Sequence, residues 1–288
     1  MEITSPLHSQ GLILQFSYSP SIPRDFPELA SQTLLLRGLS PDVPAHAVIA
    51  PFMAQARQNL ACTPESEMPS IQAWRRGFAR MGLKPTQYRC AAEALLRRLR
   101  KEGDLPGLHP LVDLCNAASV AFAIPVAVFD LDRVSGCLQV RPATGSEVYE
   151  TFSGEIEYPE PGEIIFADTA GRAHARRWCN RQSGHSAMRE STVNALIVIE
   201  ALHATGKADT RQLVEALQSA AGRLWRALRR PQGTIHCGSA PAPQTQLGAL
   251  NALVLDTETT GVNVRSDRII SVAGYRLVGG ALEPEPAF

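Results

Sequence analysis

Trp74-Arg75-Arg76-Gly77-Phe78 and, a hundred residues later, Trp178-Cys179-Asn180-Arg181-Gln182-Ser183 bound the most distinctive part of this sequence. Between them stand Met81-Gly82-Leu83-Lys84-Pro85, Tyr88-Arg89, and Glu93-Ala94-Leu95-Leu96-Arg97-Arg98. Further on come His109-Pro110-Leu111-Val112-Asp113-Leu114-Cys115-Asn116 and Phe129-Asp130-Leu131-Asp132. A generic core would not need such irregular polar residues set into its apolar frame. Around them the pattern reads as mixed α and β. Ile71, Trp74 and Phe78 recur at helical spacing from Ser70, and Gly82 stops that helix. Arg89 to Lys101 is a second helix, with Leu95, Leu96 and Leu99 inward, closed by Gly103. Pro110 to Phe122 is a third, carrying Asp113 and Asn116.

Strands are expected at 11–18, 31–38, 126–129, 138–141 and 164–166, with a helix start in 45–52. The turns Gly145-Ser146-Glu147, Gly154-Glu155 and Gly162-Glu163 each introduce a short apolar run. Helices are expected over Thr192–Thr205 and Thr210–Arg229, the latter capped by Thr210. Pro231 to Gly248 is rich in proline and glycine and reads as a linker. The expected organisation is therefore a body over 1–230, a linker over 231–249 and a short hairpin-like fragment over 250–288.

Hydrophobic content of 44% over 288 residues is enough for a real core. Formal net charge is zero, which argues against a protein that coats DNA through global charge. Charge is segregated instead. Trp74 to Lys101 holds nine basic residues against Glu93 alone, and Arg172 to Arg189 holds five arginines, two histidines and no acid. The balancing acids fall at 146–168. This polarity predicts a charged face and, with the motifs, a nucleic-acid partner. The six cysteines are scattered singly, so neither a zinc knuckle nor a disulfide framework is expected. The longest apolar run, Ala117 to Phe129, is too short to span a bilayer, and the first residues do not read as a signal peptide. A cytoplasmic protein with no cofactor and no obligate protein partner is expected.

Taken in order and spacing, the signatures over 74–200 resemble the B3/B4 domain of the phenylalanyl-tRNA synthetase β-subunit, in its freestanding form. The likeness spans roughly 10–230. It implies a compact α+β fold, a mixed β-sheet flanked by helices, with the C-terminal hairpin as an appendage. In the synthetase this domain hydrolyses tyrosine wrongly esterified to the phenylalanine tRNA. The resemblance therefore implies a tRNA or aminoacyl-tRNA partner, and a trans-acting editing hydrolase of misacylated aminoacyl-tRNA. No anticodon-binding or ATP-binding segment accompanies it, so aminoacyl-tRNA synthesis by this chain alone is not expected.

An aminoacyl ester is already activated. Its hydrolysis needs an oriented water, donors for the developing oxyanion and a cavity for the amino-acid side chain. Within the matched motifs Asn116, Asp113, Asp130, Gln182 and Ser183 are the candidates to orient water and the terminal ribose. Arg181 can meet a phosphate or the oxyanion. Arg75, Arg89, Arg97, Arg98, Arg176 and Arg177 are candidates for the tRNA backbone. Trp74 is assigned to the core, and Trp178, beside Arg176 and Arg177, is the better of the two as a candidate for exposure and base stacking.

The sequence departs from the synthetase pattern at two places. Ala127 stands where a histidine precedes the motif aligned with Val128-Phe129-Asp130, and no glutamate is evident near Gln182. His109 and His185 are candidate substitutes. A non-catalytic RNA-binding module is the alternative. A third reading comes from Asp256-Thr257-Glu258-Thr259-Thr260-Gly261, which resembles the first motif of DEDD-family 3′–5′ exonucleases. Asp256 and Glu258, two residues apart on a strand, point to one side and suit a Mg²⁺ ion. The later carboxylates of such a site are not seen, so a truncated, fused or split exonuclease fragment without nuclease activity is expected.

Overall fold

The computed structural model describes residues 16–225 and, beyond them, three strands in backbone only. It opens with β1 (Phe16–Tyr18), the short helix α1 (Ser21–Asp25) and β2 (Ala30–Arg37). Four helices follow: α2 (His46–Cys62), α3 (Pro69–Arg80), α4 (Ala91–Glu102) and α5 (Pro110–Phe122). Next come β3 (Val126–Asp130), β4 (Leu138–Pro142), β5 (Tyr149–Glu150) and β6 (Ile156–Glu157). Then come β7 (Ile164–Ala167), β8 (Ala173–Arg176), β9 (Arg181–Gln182), β10 (Asn194–Ala201) and α6 (Gly206–Leu224). The class is α+β, as expected.

Two sheets carry the body. One is mixed, in the order β1-β4-β7-β8-β9, with β1 parallel to β4 and the other pairs antiparallel. The other is antiparallel, in the order β2-β10-β3. β5 and β6 form a separate hairpin.

The strand β10 corrects the expectation of a helix over Thr192–Thr205. Its run Ala-Leu-Ile-Val-Ile is apolar at every position, and such a run fits a buried strand as well as a buried helix. Its β-branched residues and burial on both faces decide for the strand. Leu196 and Val198 enter the core shared with the mixed sheet, α3 and α4, beside Phe16, Trp74, Phe129 and Phe166. Ala195, Ile197, Ile199 and Ala201 enter the other core, beside Leu111 and Leu114 of α5 and Leu213 and Leu217 of α6. Burial of an aliphatic side chain of this size contributes about 1.5–3 kcal/mol, so a chain with both faces of β10 covered has no incentive to turn it out.

The three helices read between Ser70 and Phe122 form as the sequence indicates. Pro69 and Pro110 occupy first-turn positions, where a missing N–H costs nothing. His109 caps α5, its Nδ1 accepting from Leu111 N at 3.2 Å. Gly103, at φ +81°, closes α4 in the left-handed conformation. In α6 the start lies one turn earlier than expected. Thr205 is at the cap position and Thr210 is buried inside the helix, because Gly206 and Thr210 continue the inward face of Leu213 and Leu217 and Gly206 packs against Ala201 of β10 and Ala30 of β2.

Outside the body, β11 (Ala252–Thr259), β12 (Ile269–Val278) and β13 (Ala281–Leu282) form an antiparallel sheet. Asp256 sits opposite Ala273 and Glu258 opposite Ser271 in its register. The early strand residues 11–15 and the linker over 231–249 lie outside the described residues.

Candidate functional site

The mixed sheet and the antiparallel sheet close on each other around Phe129 and Phe166, whose rings are 5.2 Å apart. Beside this contact lies a small cavity of about 60 Å³. Ala127 of β3 and Val198 of β10, which are register partners, form one wall. The segment from Trp178 to Gln182 forms another, and Ala91 at the start of α4 a third. Two segments far apart in sequence thus meet here, residues 125–127, just ahead of Phe129-Asp130, and the stretch through Arg181-Gln182.

The 177–182 segment takes its shape from its backbone. Arg177 and Trp178 both have left-handed φ, +46° and +59°. Two successive non-glycine residues there are uncommon and strained. The pair reverses the chain after β8 and drives the Trp178 indole inward. Trp178 is therefore fully buried, edge-on to Trp74 at 5.1 Å and to Phe26 at 4.9 Å. This removes Trp178 as a candidate for base stacking, while Trp74 is core as expected. Asn180 Nδ2 donates to Arg89 O at 2.7 Å, and Cys179 O accepts from Ala91 N at 2.9 Å, which ties the segment to α4. The Gln182 amide donates to Val128 O, spanning from the mixed sheet to β3.

Glu200 of β10 is the residue at this cavity that the sequence reading missed. On a strand, Leu196, Val198 and Glu200 share one face, so a carboxyl stands in line with two core residues. A helical reading hides that alignment. Glu200 is buried and lines the cavity. Its Oε1 accepts from Tyr18 Oη at 2.7 Å and from Trp178 Nε1 at 2.9 Å. Burial pushes its carboxyl up to about 7, against the pull of those two donors. Such a group exchanges a proton near neutral pH.

The other sequence candidates fall elsewhere. Asp113 and Asn116 lie together, in a separate cavity of about 460 Å³ between α2 and α5, with His46 and Arg57. Asp113 accepts from Leu108 N at 2.9 Å, and burial raises its carboxyl. Asp130 is buried; its Oδ2 accepts from Thr192 Oγ1 at 2.7 Å and its Oδ1 from Asp132 N at 3.1 Å. Ser183 is fully buried, its hydroxyl donating to Glu150 O at 2.8 Å. His109 is buried at the start of α5, and burial lowers its imidazole. His185 approaches Glu150 at 3.5 Å, its imidazole lowered by burial and then by the charge of Arg172.

The two basic segments do not form an open basic face, because folding brings the acids to them. Arg75 and Arg89 both reach the buried Glu93, at 2.6 and 3.4 Å. Arg97 and Arg100 reach the buried Glu65, at 3.8 and 2.9 Å, and Arg98 pairs with Glu102. Arg176 is buried between Glu157 and Glu163, at 2.7 and 2.8 Å. Arg181 pairs with Glu157 at 2.9 Å but stays 44% exposed. Arg177 differs: its guanidinium lies 4.7 Å over the Tyr88 ring, at the edge of a groove of about 590 Å³ that also holds Arg80 and Leu83. Beside Arg181, the β5–β6 hairpin exposes Phe152, Ile156 and Tyr158.

Among the described residues no group of three or more His, Cys, Asp or Glu is placed to hold a metal ion, and no helix is long and apolar enough to cross a membrane. Asp256 and Glu258 stand on β11, of which only the backbone is described.

The sequence matches the family model described as the B3/4 domain over residues 73–232. It is 26% identical over 140 residues to the phenylalanine–tRNA ligase beta subunit of Cereibacter sphaeroides, covering 47% of this chain and 17% of that protein. It is 32% identical over 95 residues to the same subunit of Nitrobacter winogradskyi, covering 33% of this chain and 12% of that one. The chain thus spans less than a fifth of the length of either relative. Among solved structures, an N-terminal fragment of the phenylalanyl-tRNA synthetase beta subunit from Pyrococcus horikoshii overlaps 74% of this chain and 49% of that one, at 8% identity and a TM-score of 0.42.

Proposed function

The chain belongs to the B3/4 domain family, and from that premise we propose that it binds the acceptor end of aminoacylated tRNA and hydrolyses a wrongly attached amino acid in trans. The observation that carries the reading is the cavity at the junction of the two sheets. It joins Gln182, which can donate and accept, to a carboxyl that titrates near neutrality, inside walls that limit water. At about 60 Å³ the cavity has room for a water and not for an amino-acid side chain, so what it would supply to an activated ester is the oriented water.

The surroundings support the nucleic-acid half of the reading. Arg177, stacked on Tyr88, and Arg181, stacked 5.4 Å over Tyr149, flank the wall-forming segment and suit phosphate or base contacts. Exposed Phe152 and Tyr158 on the neighbouring hairpin offer faces for unpaired bases. Most of the remaining arginines are paired internally, so affinity should rest on a few contacts rather than on a broad basic surface.

Purified protein should be incubated with tRNAs carrying a panel of labelled amino acids, and ester loss followed with time. Faster loss from particular misacylated tRNAs supports the reading. Retention of every ester, with tRNA still bound on a filter, would establish a binding module instead. Absence of both hydrolysis and tRNA affinity refutes the proposal.

A further inference from the structure

Where β10 runs out into α6, a further cavity of about 330 Å³ opens at the ends of other helices. α2 finishes there at Cys62 and Thr63, and α5 at Phe122 and Ala123. Ala123 closes α5 with a left-handed φ of +54°. The last carbonyls of a helix lack partners inside it and form its negative end. Two negative ends therefore meet at one space.

The side chains around it have the same sign. Asp209, in the first turn of α6, lines the cavity with its side chain 37% exposed. Thr205 Oγ1 and His203 Nε2 both meet its Oδ2, at 2.6 and 2.8 Å. Burial alone would raise this carboxyl, but those two hydrogen bonds hold it below its ordinary value. The Asn59 amide nitrogen donates to Ala121 O at 2.9 Å, which leaves its carbonyl oxygen as an acceptor. With Asp209 on Nε2, the neutral His203 ring carries its proton there. Its Nδ1 is then a lone-pair nitrogen, buried and without a partner among the described residues. No Lys or Arg is among the lining residues, and Met68, Pro69 and Phe122 supply apolar wall beside the acceptors.

We propose that this cavity binds a primary ammonium group carried on a short apolar body, an assignment that does not depend on the ester hydrolysis proposed above. An ammonium brings three donors and a positive charge to a wall of acceptors, and hydrogen bonds of that kind are the strong ones. The apolar body takes the side of Phe122 and Met68. Two kinds of molecule share this chemistry, a simple alkylamine and a free apolar amino acid. α3 also begins at the cavity, with Ser70 in its first turn and no side chain capping it. A carboxylate beside the ammonium therefore has a positive helix end to meet.

The test is calorimetric titration of the full chain with isoamylamine, leucine and isocaproate, which carry the amine alone, both groups, and the acid alone. Isoamylamine or leucine should bind, and isocaproate should not. Saturating ligand should slow the alkylation of Cys62, which is exposed at the cavity, as read by peptide mass spectrometry. Asp209→Asn should weaken binding by about tenfold or more. Asp209 also holds His203 and the start of α6, so a second variant guards against misfolding. Cys62→Lys sets a competing ammonium at an exposed position and should weaken binding to the same extent, whereas Cys62→Ser should bind as the wild type does. Tighter binding of leucine than of isoamylamine identifies the ligand as a free amino acid, and the reverse order as an amine. Isocaproate binding as tightly as isoamylamine, unchanged affinity in either charge variant, or no binding of either ammonium compound overturns the proposal and leaves the deacylase reading untouched.

Discussion

Replacing Glu200 by glutamine should flatten part of the pH dependence of stability. The carboxyl titrates at about 7 in the fold against an ordinary value of 4.5. Because the folded value is the raised one, the native state keeps its proton through a window in which the unfolded chain has released it. The stability that Glu200 contributes is thus complete below 4.5 and is lost as pH rises through about 7. At about 1.36 kcal/mol for each tenfold difference in proton affinity, the loss is on the order of 3 kcal/mol. Glutamine does not titrate, yet it keeps an acceptor for Tyr18 and Trp178. Urea unfolding of both proteins at a series of pH values, with one curve subtracted from the other, isolates the effect. The subtraction removes titrations that both share. Among these are Asp168 and Glu147, which are held at about 2 and cost stability only as pH falls toward that value. The variant should gain on the wild type by about 3 kcal/mol between the acid and alkaline ends. A difference that stays constant with pH would falsify the claim that Glu200 is buried without a cation.

Three further outcomes follow from the packing. Arg176→Ala leaves Glu163 and Glu157 without their shared cation, and with Arg176 and Glu163 both buried it should cost about 3–5 kcal/mol in urea unfolding, whereas Arg98→Ala, at an exposed pair, should cost under about 1 kcal/mol. Gly184→Ala would place a Cβ 2.6 Å from Thr151 O and 3.1 Å from Phe152 Cα, backbone atoms that cannot yield cheaply, so the midpoint should drop by the equivalent of about 1–3 kcal/mol; an unchanged midpoint counts against the described turn. Arg177→Ala and Arg181→Ala should each weaken tRNA binding and reduce the salt dependence of affinity by about one counterion, while Phe152→Ala should weaken binding at all salt concentrations alike; equal salt slopes for all three variants would exclude phosphate contacts at the two arginines.

The helices from Pro69 to Phe122 were legible because their signals are local. Pro69, Pro110 and Gly103 mark ends, and Ile71, Trp74 and Phe78 repeat at helical spacing. β10 was not legible, since a run apolar at every position carries no period, and what selects the strand is the presence of β2 and β3 on either side. The error had a functional cost: read as a helix, the run hides the alternation that puts Glu200 beside Val198. The burial of Trp178 was hard to read for a different reason. Its flanking arginines suggested a surface, but the left-handed pair at 177–178 turns the indole inward, and the alpha-carbon conformation of non-glycine residues is not written in composition. Charge misled in the same way. Basic and acidic segments separated along the chain are brought together by the mixed sheet, as in the pairing of Arg176 with Glu163. Gln182 and Ala127, singled out as motif positions, line one cavity, whereas Asp113 and Asn116 line another.

The most direct test is where the aminoacylated end of a tRNA sits. A non-hydrolysable 3′-aminoacylamido-adenosine can be titrated into isotope-labelled protein and the amide signals followed by nuclear magnetic resonance. Shifts are expected at Ala127, at Asn180 to Gln182 and at Val198 to Glu200, around the cavity between the two sheets. Shifts confined to His46, Arg57, Asp113 and Asn116 would place the ligand between α2 and α5 and contradict the proposed site.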